Sequence, residues 1–461
     1  MIADLKPYPA YKDSGLTWLD KVPSHWGRRR MKFLFSERTQ KGFPDEPLLA
    51  ATQTKGVVRK EDYGKRTVTA MKDFHLLKLV QVGDFVISLR SFEGGIEVSH
   101  CRGIISPAYT VLKPSGDATQ AYYSRLFKSA DFIRGLTLFV TGIREGQNID
   151  YERMNRDYMP LPPVEEQLAI GRFLDWANAR LERTIRAKRQ VIALLTEQKQ
   201  AIIHRAVTRG LDPNAPLKPS GIAWLGDIPA HWDARRVKQV TRILRGKFSH
   251  RPRNDPAFYD GKYPFIQTGA VAQADKFIDG YNQTLNEKGL AVSKMFPSGT
   301  LVMTIAANIG EVAVLTFDAC FPDSIVGFVP SASVDRDYLY LVFRSMKAEF
   351  IAEAPVNTQG NLNVERIGVM GIPLPSLVEQ QHIGKSVEVE TAAFDTANSR
   401  LHREIDLLCE YRTRLVADVV TGKLDVREAA ARLPQDEVEA ALEPEALDLM
   451  DTADAEAELE E

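Results

Sequence analysis

The sequence contains the same unit twice, and this internal repeat limits how the chain folds more than any other feature. The segment SGLTWLDKVPSHW at residues 14–26 recurs as SGIAWLGDIPAHW at residues 220–232, with seven of thirteen positions identical. Further on, residues 148–167 carry an Asn-Ile-Asp-Tyr-Glu-Arg motif, a Pro-Leu-Pro run and a Glu-Gln pair, and residues 361–380 carry a matching series. Each copy therefore has a start motif, a variable segment of about 120 residues, a Pro-rich exit and a long helix.

The segments after the two Pro-rich exits predict long helices that pair with each other. Residues 171–208 and 384–421 contain no proline and no interior glycine, and each would span roughly 57 Å at ~1.5 Å per residue. Apolar residues recur every seven positions in matching register, interrupted by Lys188, as in a coiled-coil seam. The chain order favours an antiparallel pair; the alternative is that each helix packs only on its own domain. The predicted seam consists of Leu174, Leu181, Leu195, Ile202, Val387, Phe394, Leu401, Leu408 and Leu415.

The beginnings of these helices also carry local signals. Ser376 followed by Glu379 is a capping-box pattern, in which the hydroxyl accepts from an early backbone N–H and the carboxylate reaches back to the cap. The first helix follows Pro162-Pro163, with two glutamates at the positive end of its dipole.

The two variable segments are predicted to be diverged copies of one α+β domain. Residues 83–89 and 299–305 predict one equivalent pair of strands, and residues 108–114 and 323–330 predict a second pair. Each segment then enters a helical region. The loops of the two copies share almost nothing, which is expected when one framework presents two different binding surfaces.

The charge of the chain is unevenly distributed. The chain as a whole carries −2, but residues 434–461 contribute twelve acids and no Lys or Arg, so residues 1–433 carry +10. A basic body suits a partner with a phosphate backbone, although many basic proteins bind no nucleic acid. The Ala-rich acidic tail is predicted to be disordered or marginally helical.

Basic residues cluster directly after each start motif, at equivalent places in the two copies. Such clusters predict two surfaces that contact the phosphates of one duplex, and further basic loop residues are candidates for contacts with base edges. The alternative for any single cluster is a solvated helix face. The candidates are Arg28, Arg29, Arg30, Lys32, Arg59, Lys60, Lys65, Arg66, Arg90, Arg235, Arg236, Lys238, Arg242, Arg245, Lys247, Arg251, Arg253 and Lys262.

The sequence has no motif that indicates catalysis by this chain. It contains no GxxxxGK[ST], no GxGxxG at a strand end, no Asn-Pro-Pro-Tyr-like run, and neither HxH nor HExxH, so neither a catalytic nor a metal site is predicted. His25 and His231 lie beside tryptophans in the repeated motif and are predicted to be structural. Three widely spaced cysteines, no secretory signal and no apolar run near 18 residues predict a cytoplasmic protein.

Two variable segments alternating with two repeated helical segments resemble the specificity subunit of type I restriction-modification enzymes. The Gly146-Gln-Asn-Ile motif leading to PLPPVEEQ, and its repeat leading to PLPSLVEQ, look like that family's exit from a target recognition domain into a conserved helix. The resemblance covers residues 1 to about 433. It divides the chain into a first recognition domain, a first helical region, a second recognition domain, a second helical region and an acidic tail, at residues 1–160, 161–212, 213–373, 374–433 and 434–461.

The resemblance implies two pseudo-symmetric α+β recognition domains separated by a long antiparallel two-helix coiled coil. It implies a non-catalytic DNA-binding subunit in which each domain reads one half of a bipartite, asymmetric site. The helices would set the gap and dock two adenine methyltransferase subunits, and motor-endonuclease subunits would complete the assembly. S-adenosylmethionine, ATP and Mg²⁺ would belong to those partners, with no cofactor in this chain. Two alternatives stay open: the specificity subunit of a fused enzyme outside type I, and a coiled-coil scaffold that binds no DNA.

Overall fold

The protein folds into two compact α+β units. The computed structural model describes residues 5–53, 55–63, 73–88, 91–141, 148–250, 253–354 and 362–434. The first unit comprises Met1–Arg189 with His402–Glu461, and the second comprises Gln190–Leu401. Each unit thus joins one predicted recognition segment to parts of both predicted helical regions, while the five-part division of the chain stays a prediction. Among the described residues, no helix is long and apolar enough to cross a membrane.

The first unit is built around a four-stranded antiparallel sheet in the order β4-β11-β8-β9. The middle strand β8 is the run Phe-Val-Ile, and all three of its side chains are buried. The strands of this unit are β1 (Tyr11–Leu16), β2 (Leu19–Pro23), β3 (Gly27–Arg30), β4 (Phe35–Glu37), β5 (Leu49–Thr52), β6 (Gly56–Arg59), β7 (Lys78–Val80), β8 (Phe85–Ile87), β9 (Glu97–Val98), β10 (Gly103–Ile105), β11 (Thr110–Pro114), β12 (Val140–Thr141), β13 (Asn148–Ile149) and β14 (Tyr158–Leu161).

The second unit has a five-stranded sheet in the order β18-β26-β23-β24-β20, in which β20 runs parallel to β24 and the other pairs are antiparallel. Its first four strands repeat the order of the first unit's sheet. The strands are β15 (Leu217–Pro219), β16 (Asp227–Pro229), β17 (Asp233–Arg236), β18 (Thr241–Arg245), β19 (Tyr259–Pro264), β20 (Phe277–Ile278), β21 (Thr284–Leu285), β22 (Met295–Phe296), β23 (Leu301–Thr304), β24 (Val312–Leu315), β25 (Ala319–Cys320), β26 (Ile325–Pro330) and β27 (Gly371–Leu374).

The four strands predicted from the repeat are confirmed. They correspond to β8 and β11 in the first unit and to β23 and β26 in the second, and each predicted pair is hydrogen-bonded as antiparallel neighbours. The prediction succeeded because these strands are central in their sheets: β8 and β23 are buried along their whole length, and β11 and β26 include adjacent buried apolar residues.

Two long helices dominate the helical content. The two predicted long helices are confirmed, and both begin seven residues before the predicted start, directly after the prolines of each exit. The helices are α1 (Met31–Leu34), α2 (Ser91–Gly94), α3 (Gln120–Leu126), α4 (Ala130–Leu136), α5 (Tyr151–Met154), α6 (Val164–Arg209), α7 (Val237–Val240), α8 (Thr268–Gln273), α9 (Glu287–Val292), α10 (Arg336–Ser345), α11 (Lys347–Ala352), α12 (Val364–Val369), α13 (Leu377–Val420) and α14 (Arg427–Ala431).

Within the first unit, α6 and α13 run antiparallel. Arg412 contacts Glu182 at 3.1 Å and Lys188 contacts Glu404 at 2.6 Å, so the partner's number falls as the number along α6 rises. Lys188, which interrupts the predicted apolar seam, is therefore matched by a carboxylate. At the end of the helices nearer the sheet, α6 and α13 contribute apolar residues to the core around Trp26, among them Phe173, Leu174, Leu415 and Val419.

Within the second unit, the same two helices also run antiparallel. Lys199 forms an ion pair with Asp395, and Arg205 contacts Glu390 at 3.2 Å. Ile203 of α6 and Val387 of α13 enter the core around Trp232. Each unit therefore has its own apolar helix contact beside its sheet.

The nine predicted seam residues differ in burial. Leu174, Leu181, Val387 and Leu415 are buried, and the other five are half-buried. Half-burial is expected for a two-helix pair, because each helix has only one neighbour to cover its apolar stripe. The role of these residues as one continuous seam stays a prediction.

Candidate nucleic-acid interface

The three arginines of the first basic cluster lie on an exposed strand, and Lys32 follows on the short helix α1. Strand β3 is hydrogen-bonded to β14, and all four of its residues are exposed. The Arg28 and Arg30 guanidinium carbons lie 5.0 and 5.4 Å from the centre of the Tyr158 ring. The Lys32 amine lies 5.0 Å from the exposed Phe33 ring. We call Arg28, Arg29, Arg30 and Lys32 the first basic ribbon.

Most of the charge on the first basic ribbon is not neutralised. Arg29 forms an ion pair with Asp117, and both side chains are about half exposed, at 44% and 52%. Arg28, Arg30 and Lys32 have no carboxylate within ion-pair distance among the residues that the structure describes. The three arginines line a shallow cavity of about 420 Å³ with two aromatic rings. Planar aromatic and guanidinium groups beside free positive charge are suited to a phosphate-rich chain.

The second basic cluster begins on the equivalent strand but has a different surface. Strand β17 pairs with β27 as β3 pairs with β14, and Arg235 and Arg236 are exposed. Arg235 lies 3.0 Å from Asp233 and is partly neutralised. Gly371 faces Arg236 at the place where Tyr158 faces Arg30, so this ribbon lacks the ring. We call Arg235, Arg236 and Lys238 the second basic ribbon.

Beyond the second basic ribbon, the basic residues continue along the edge of the sheet. Arg242 and Arg245 lie on β18, and Lys247 follows with an exposed side chain. Arg253 forms an ion pair with Asp323. A Cβ at Gly246 would lie 2.2 Å from the Pro322 carbonyl oxygen, so glycine allows the chain to approach the segment between β25 and β26 closely.

The remaining loop candidates are more dispersed. Arg59 ends β6, where its guanidinium lies 3.9 Å from Glu61, and Lys60 begins a 3₁₀ turn. Lys262 lies on β19, 3.0 Å from Glu287, and the hydrogen bond with this carboxylate raises the pKa of the Lys262 amine. Lys65, Arg66, Arg90 and Arg251 lie outside the described residues.

A buried carboxylate fixes the first start motif to the beginning of α6. Glu166 is 4% exposed and accepts hydrogen bonds from the Trp26 indole at 2.8 Å and the Tyr8 hydroxyl at 2.7 Å. It also bonds His25 Nε2 at 2.7 Å. Burial, followed by the Glu166 contact, raises the pKa of the Tyr8 hydroxyl, so this group stays a donor. We call Glu166 with its three partners the first latch. Because Arg28 follows Trp26 by two residues, the first latch holds the first basic ribbon at the start of α6.

The second unit has the same latch with fewer donors. The Glu379 carboxylate accepts from the Trp232 indole at 2.9 Å and lies 3.1 Å from His231 Nε2. Of the two contacts in the predicted capping box, the one made by the Ser376 hydroxyl is confirmed and the one made by the Glu379 carboxylate is wrong. The Ser376 hydroxyl does accept from the Glu379 backbone N–H at 3.3 Å, but the carboxylate is used by the start motif rather than by the cap. The structural role predicted for His25 and His231 agrees with these contacts.

The glutamine after each latch carboxylate ties the helix to the recognition segment. The Gln167 amide accepts from the Thr119 backbone at 2.9 Å and donates to the Asp117 and Pro162 carbonyls. The Gln380 amide does the same with the Asp335 backbone N–H, at 2.7 Å, and with two carbonyls. The repeated Glu-Gln pair therefore has a positioning role.

Sequence reasoning missed two features of the recognition segments. In the second unit, the Gln267 amide nitrogen donates to the Gln283 amide oxygen at 2.8 Å; glutamine amides carry the donor and the acceptor that match the major-groove edge of adenine. In the first unit, Glu97 is 3% exposed beside Lys128, and burial raises the pKa of its carboxyl to about 7. No motif marks either pair, because each joins residues that are distant in sequence.

Comparisons with known proteins agree with the resemblance found in the sequence. A family model described as the type I restriction modification DNA specificity domain matches residues 229–405. The chain is 24% identical over 347 residues to the Type I restriction enzyme MjaVIII specificity subunit of Methanocaldococcus jannaschii, covering 71% of this chain and 75% of that protein. These similarities support the resemblance of the chain to the specificity subunits of type I restriction-modification enzymes.

Further similarities extend this resemblance to most of the chain. The chain is 23% identical over 328 residues to the putative type I restriction enzyme MjaX specificity subunit of the same organism, covering 69% of this chain and 71% of that protein. A solved chain from work on complex assembly and conformational transition of the type I R-M system has a TM-score of 0.59 at 17% identity, covering 87% of this chain and 98% of that chain. At 17% identity, the similarity to this solved chain shows a shared fold.

Proposed function

We propose that the chain is a type I specificity subunit and reads a bipartite, asymmetric DNA site, with one half-site for each recognition segment. The observation that supports this most directly is the pair of exposed basic ribbons at equivalent places, each held at a helix start by the same Trp-and-His latch. The ribbons would contact phosphates and position each unit. The loops, which differ between the units, would then contact base edges.

We propose that the candidate residues divide between these two tasks. Arg28, Arg30 and Lys32 have no carboxylate partner among the described residues, which suits phosphate contacts. The Gln267–Gln283 pair is a candidate for contact with an adenine in the second half-site. Arg253 and Lys262, which are ion-paired here, would exchange a carboxylate for a phosphate when DNA binds.

We propose that α6 and α13 together set the gap between the half-sites. The ion pairs found within each unit fix the register of the two helices, and a fixed register gives a fixed spacing. The buried pair formed by Glu182, which is 5% exposed, and Arg412 is suited to this role, because breaking one partner would leave a charge without compensation.

The same helices are proposed to dock two adenine methyltransferase subunits. Two apolar residues on α6, Val164 and Leu194, are 39% and 56% exposed. The residues 213 positions further on, Leu377 and Leu407, are 40% and 58% exposed. Exposed apolar side chains at repeated places indicate two equivalent contact surfaces for two copies of one partner. In this proposal the methyltransferase and motor-endonuclease subunits carry out the chemistry and bind S-adenosylmethionine, ATP and Mg²⁺.

The experiment that tests this function is sequencing of methylated adenines in a host that carries the chain and its partner genes. A bipartite motif with a fixed gap is the expected result. Methylation that follows no motif, or one uninterrupted motif, contradicts the proposal. A chain that binds partner subunits but shows no salt-sensitive DNA affinity in their complex would be a scaffold instead.

A further inference from the structure

The first basic ribbon carries positive charge that its surroundings do not neutralise. Three of its four cations have no carboxylate partner among the described residues, and two of them stack against the Tyr158 ring. The second basic ribbon differs, because Arg235 lies 3.0 Å from Asp233 and no ring faces it from β27. A strongly anionic ligand would therefore gain more at the first ribbon than at the second.

The chain itself carries a strongly anionic segment, and the residues just before it pack in the same unit as the first basic ribbon. Residues 435–461 contain twelve acids and no Lys or Arg, and the described part of the chain ends at residue 434. The segment just before it packs in the first unit: the Asp425 backbone N–H donates to the Lys6 carbonyl at 2.8 Å, and the Arg427 guanidinium lies 5.1 Å from the Tyr8 ring. Ala430 lies in the same core as Trp26, and the first basic ribbon starts two residues after Trp26.

The length of the tail is sufficient for contact with the ribbon. A segment of 27 residues can span at most roughly 90 Å, at ~3.4 Å per residue, so its length permits contact with another part of the same unit. A tethered segment of this kind has an effective concentration of roughly millimolar at a nearby site, so weak contacts within one chain are enough for occupancy.

We propose that residues 435–461 bind the first basic ribbon in the same chain and compete there with DNA phosphates. This proposal rests on the proposed function, because it supplies a competitor for DNA. A specific site makes base contacts in addition to phosphate contacts and displaces the tail, whereas non-specific DNA offers phosphates alone. The tail would therefore suppress non-specific binding more than specific binding.

The first test is a measurement without DNA. In the complex with the methyltransferase subunits, labelling of lysine amines is compared between the full chain and a variant in which each acid of residues 435–461 is replaced by its amide. Lys32 should be labelled about threefold or more faster in the variant, because removal of the tail's charge frees the ribbon. Lys238, at the equivalent position of the second basic ribbon, is the matched control and should change little. Equal labelling of Lys32 in the two proteins overturns the proposal, as does an equal increase at both lysines.

The second test measures non-specific DNA. At 50 mM salt, the amide variant and a chain truncated after Pro434 should bind a random duplex roughly tenfold more tightly than the full chain, with a steeper salt dependence. In a background carrying Arg28→Ala and Arg30→Ala, the same tail changes should alter the affinity less than about twofold. A tail effect that is unchanged in that background contradicts binding at this ribbon.

The outcomes separate this inference from the proposed function. If the tail variants behave like the full chain while the complex still methylates a bipartite motif, only the tail proposal fails. If no variant binds DNA in the complex, the proposed function fails as well.

Discussion

The latch of the first unit and the latch of the second use the same carboxylate in different surroundings. Glu166 is 4% exposed and meets Trp26, His25 and Tyr8, whereas the Glu379 side chain is 28% exposed and meets only Trp232 and His231. What the units share fixes the start motif to the helix. What differs lies around the latch, and this is expected if one framework holds two surfaces with separate targets.

The contact between the recognition segment and the long helix shows the same contrast. In the first unit Gly171 packs closely on Ala121, since an added Cβ would lie 2.6 Å from the alanine Cβ. In the second unit Gly384, 213 positions later, has open space around it and lines a groove of about 1060 Å³. Both helices have a glycine at this position, but only the glycine of the first unit is closely packed. The variable segments can therefore differ even where they contact the helices.

The largest effect is expected from exchanging the first variable segment, residues 27–147, for that of another family member. Only one half of the methylated motif should change, because the latch and the helices stay the same. The new motif is read by sequencing methylated adenines. Exchanging residues 233–360 is the matched control and should change the other half alone. A change in both halves after either exchange contradicts separate reading.

The two latches should differ in their contribution to stability. Glu166→Ala leaves two buried donors, Tyr8 and Trp26, without an acceptor and removes the contact with His25, so it should lower the free energy of unfolding of the first unit by about 3 kcal/mol. Glu379→Ala should cost about 1 kcal/mol, because its site is more open and has two donors. Denaturant titration followed by hydrogen exchange in β3 and β17 measures both. An equal loss in the free energy of unfolding for the two variants would show that the deeper burial of Glu166 does not make its contacts more stabilising than those of Glu379.

A pH dependence should distinguish a buried ion pair in the first unit from a more exposed one in the second. Glu97 in the first unit is 3% exposed beside Lys128, and Glu311 in the second is 31% exposed beside Lys347. Burial raises the pKa of Glu97 from 4.5 to about 7, so its contribution to stability is fully present below about pH 4.5 and is lost as the pH rises through about 7. Glu97→Gln should therefore stabilise the protein above pH 7 by on the order of 2 kcal/mol. It should also remove the change in stability between about pH 4.5 and 7.

Glu311→Gln is the matched control for that measurement. Its ion pair is largely solvated, so the change should stay within about 0.5 kcal/mol at any pH in the window. Thermal unfolding at pH 5, 6, 7 and 8 supplies the comparison. A flat profile for the unmodified protein would show that Glu97 does not titrate in this range.

The smallest effect is expected at the basic ribbons. Arg28→Ala with Arg30→Ala should lower the slope of log affinity against log salt by roughly two units, one for each phosphate that the variant no longer binds. Arg235→Ala with Arg236→Ala should lower it by roughly one unit, because Arg235 is already partly neutralised by Asp233. If the slope changes in neither variant, these arginines face solvent and do not contact phosphates.

The sequence was sufficient for the parts of the fold that repeat or that lie in the core. The strands β8 and β23 are continuous apolar runs, and the long helices have the sevenfold spacing, so both were predictable from local pattern. The Arg-rich strand β3 was not: it is fully exposed, and only its partner β14, more than 120 residues away, makes it a strand.

The candidate site was predictable in its charge but not in its contacts. The pattern Ser376 to Glu379 indicated a capping box, yet the carboxylate bonds Trp232, whose indole competes successfully with the backbone. The bond between Trp232 and Glu379 joins residues 147 positions apart, so no local motif encodes it. The neutralisation of Arg235 by Asp233, by contrast, joins residues two positions apart on one strand, and the sequence contained the signal for it.

Two different reading surfaces held at a spacing set by paired helices are the centre of the proposed function, and a matched insertion tests this most directly. In the second unit Lys199 pairs with Asp395, so in this antiparallel register Leu195 lies opposite Ser399. Four residues inserted after each of these positions add about 6 Å of helix, close to two base-pair steps of ~3.4 Å. We expect a methylated motif with both half-sites unchanged and a gap longer by one or two base pairs. A motif with the original gap would contradict the proposed spacing role of the helices.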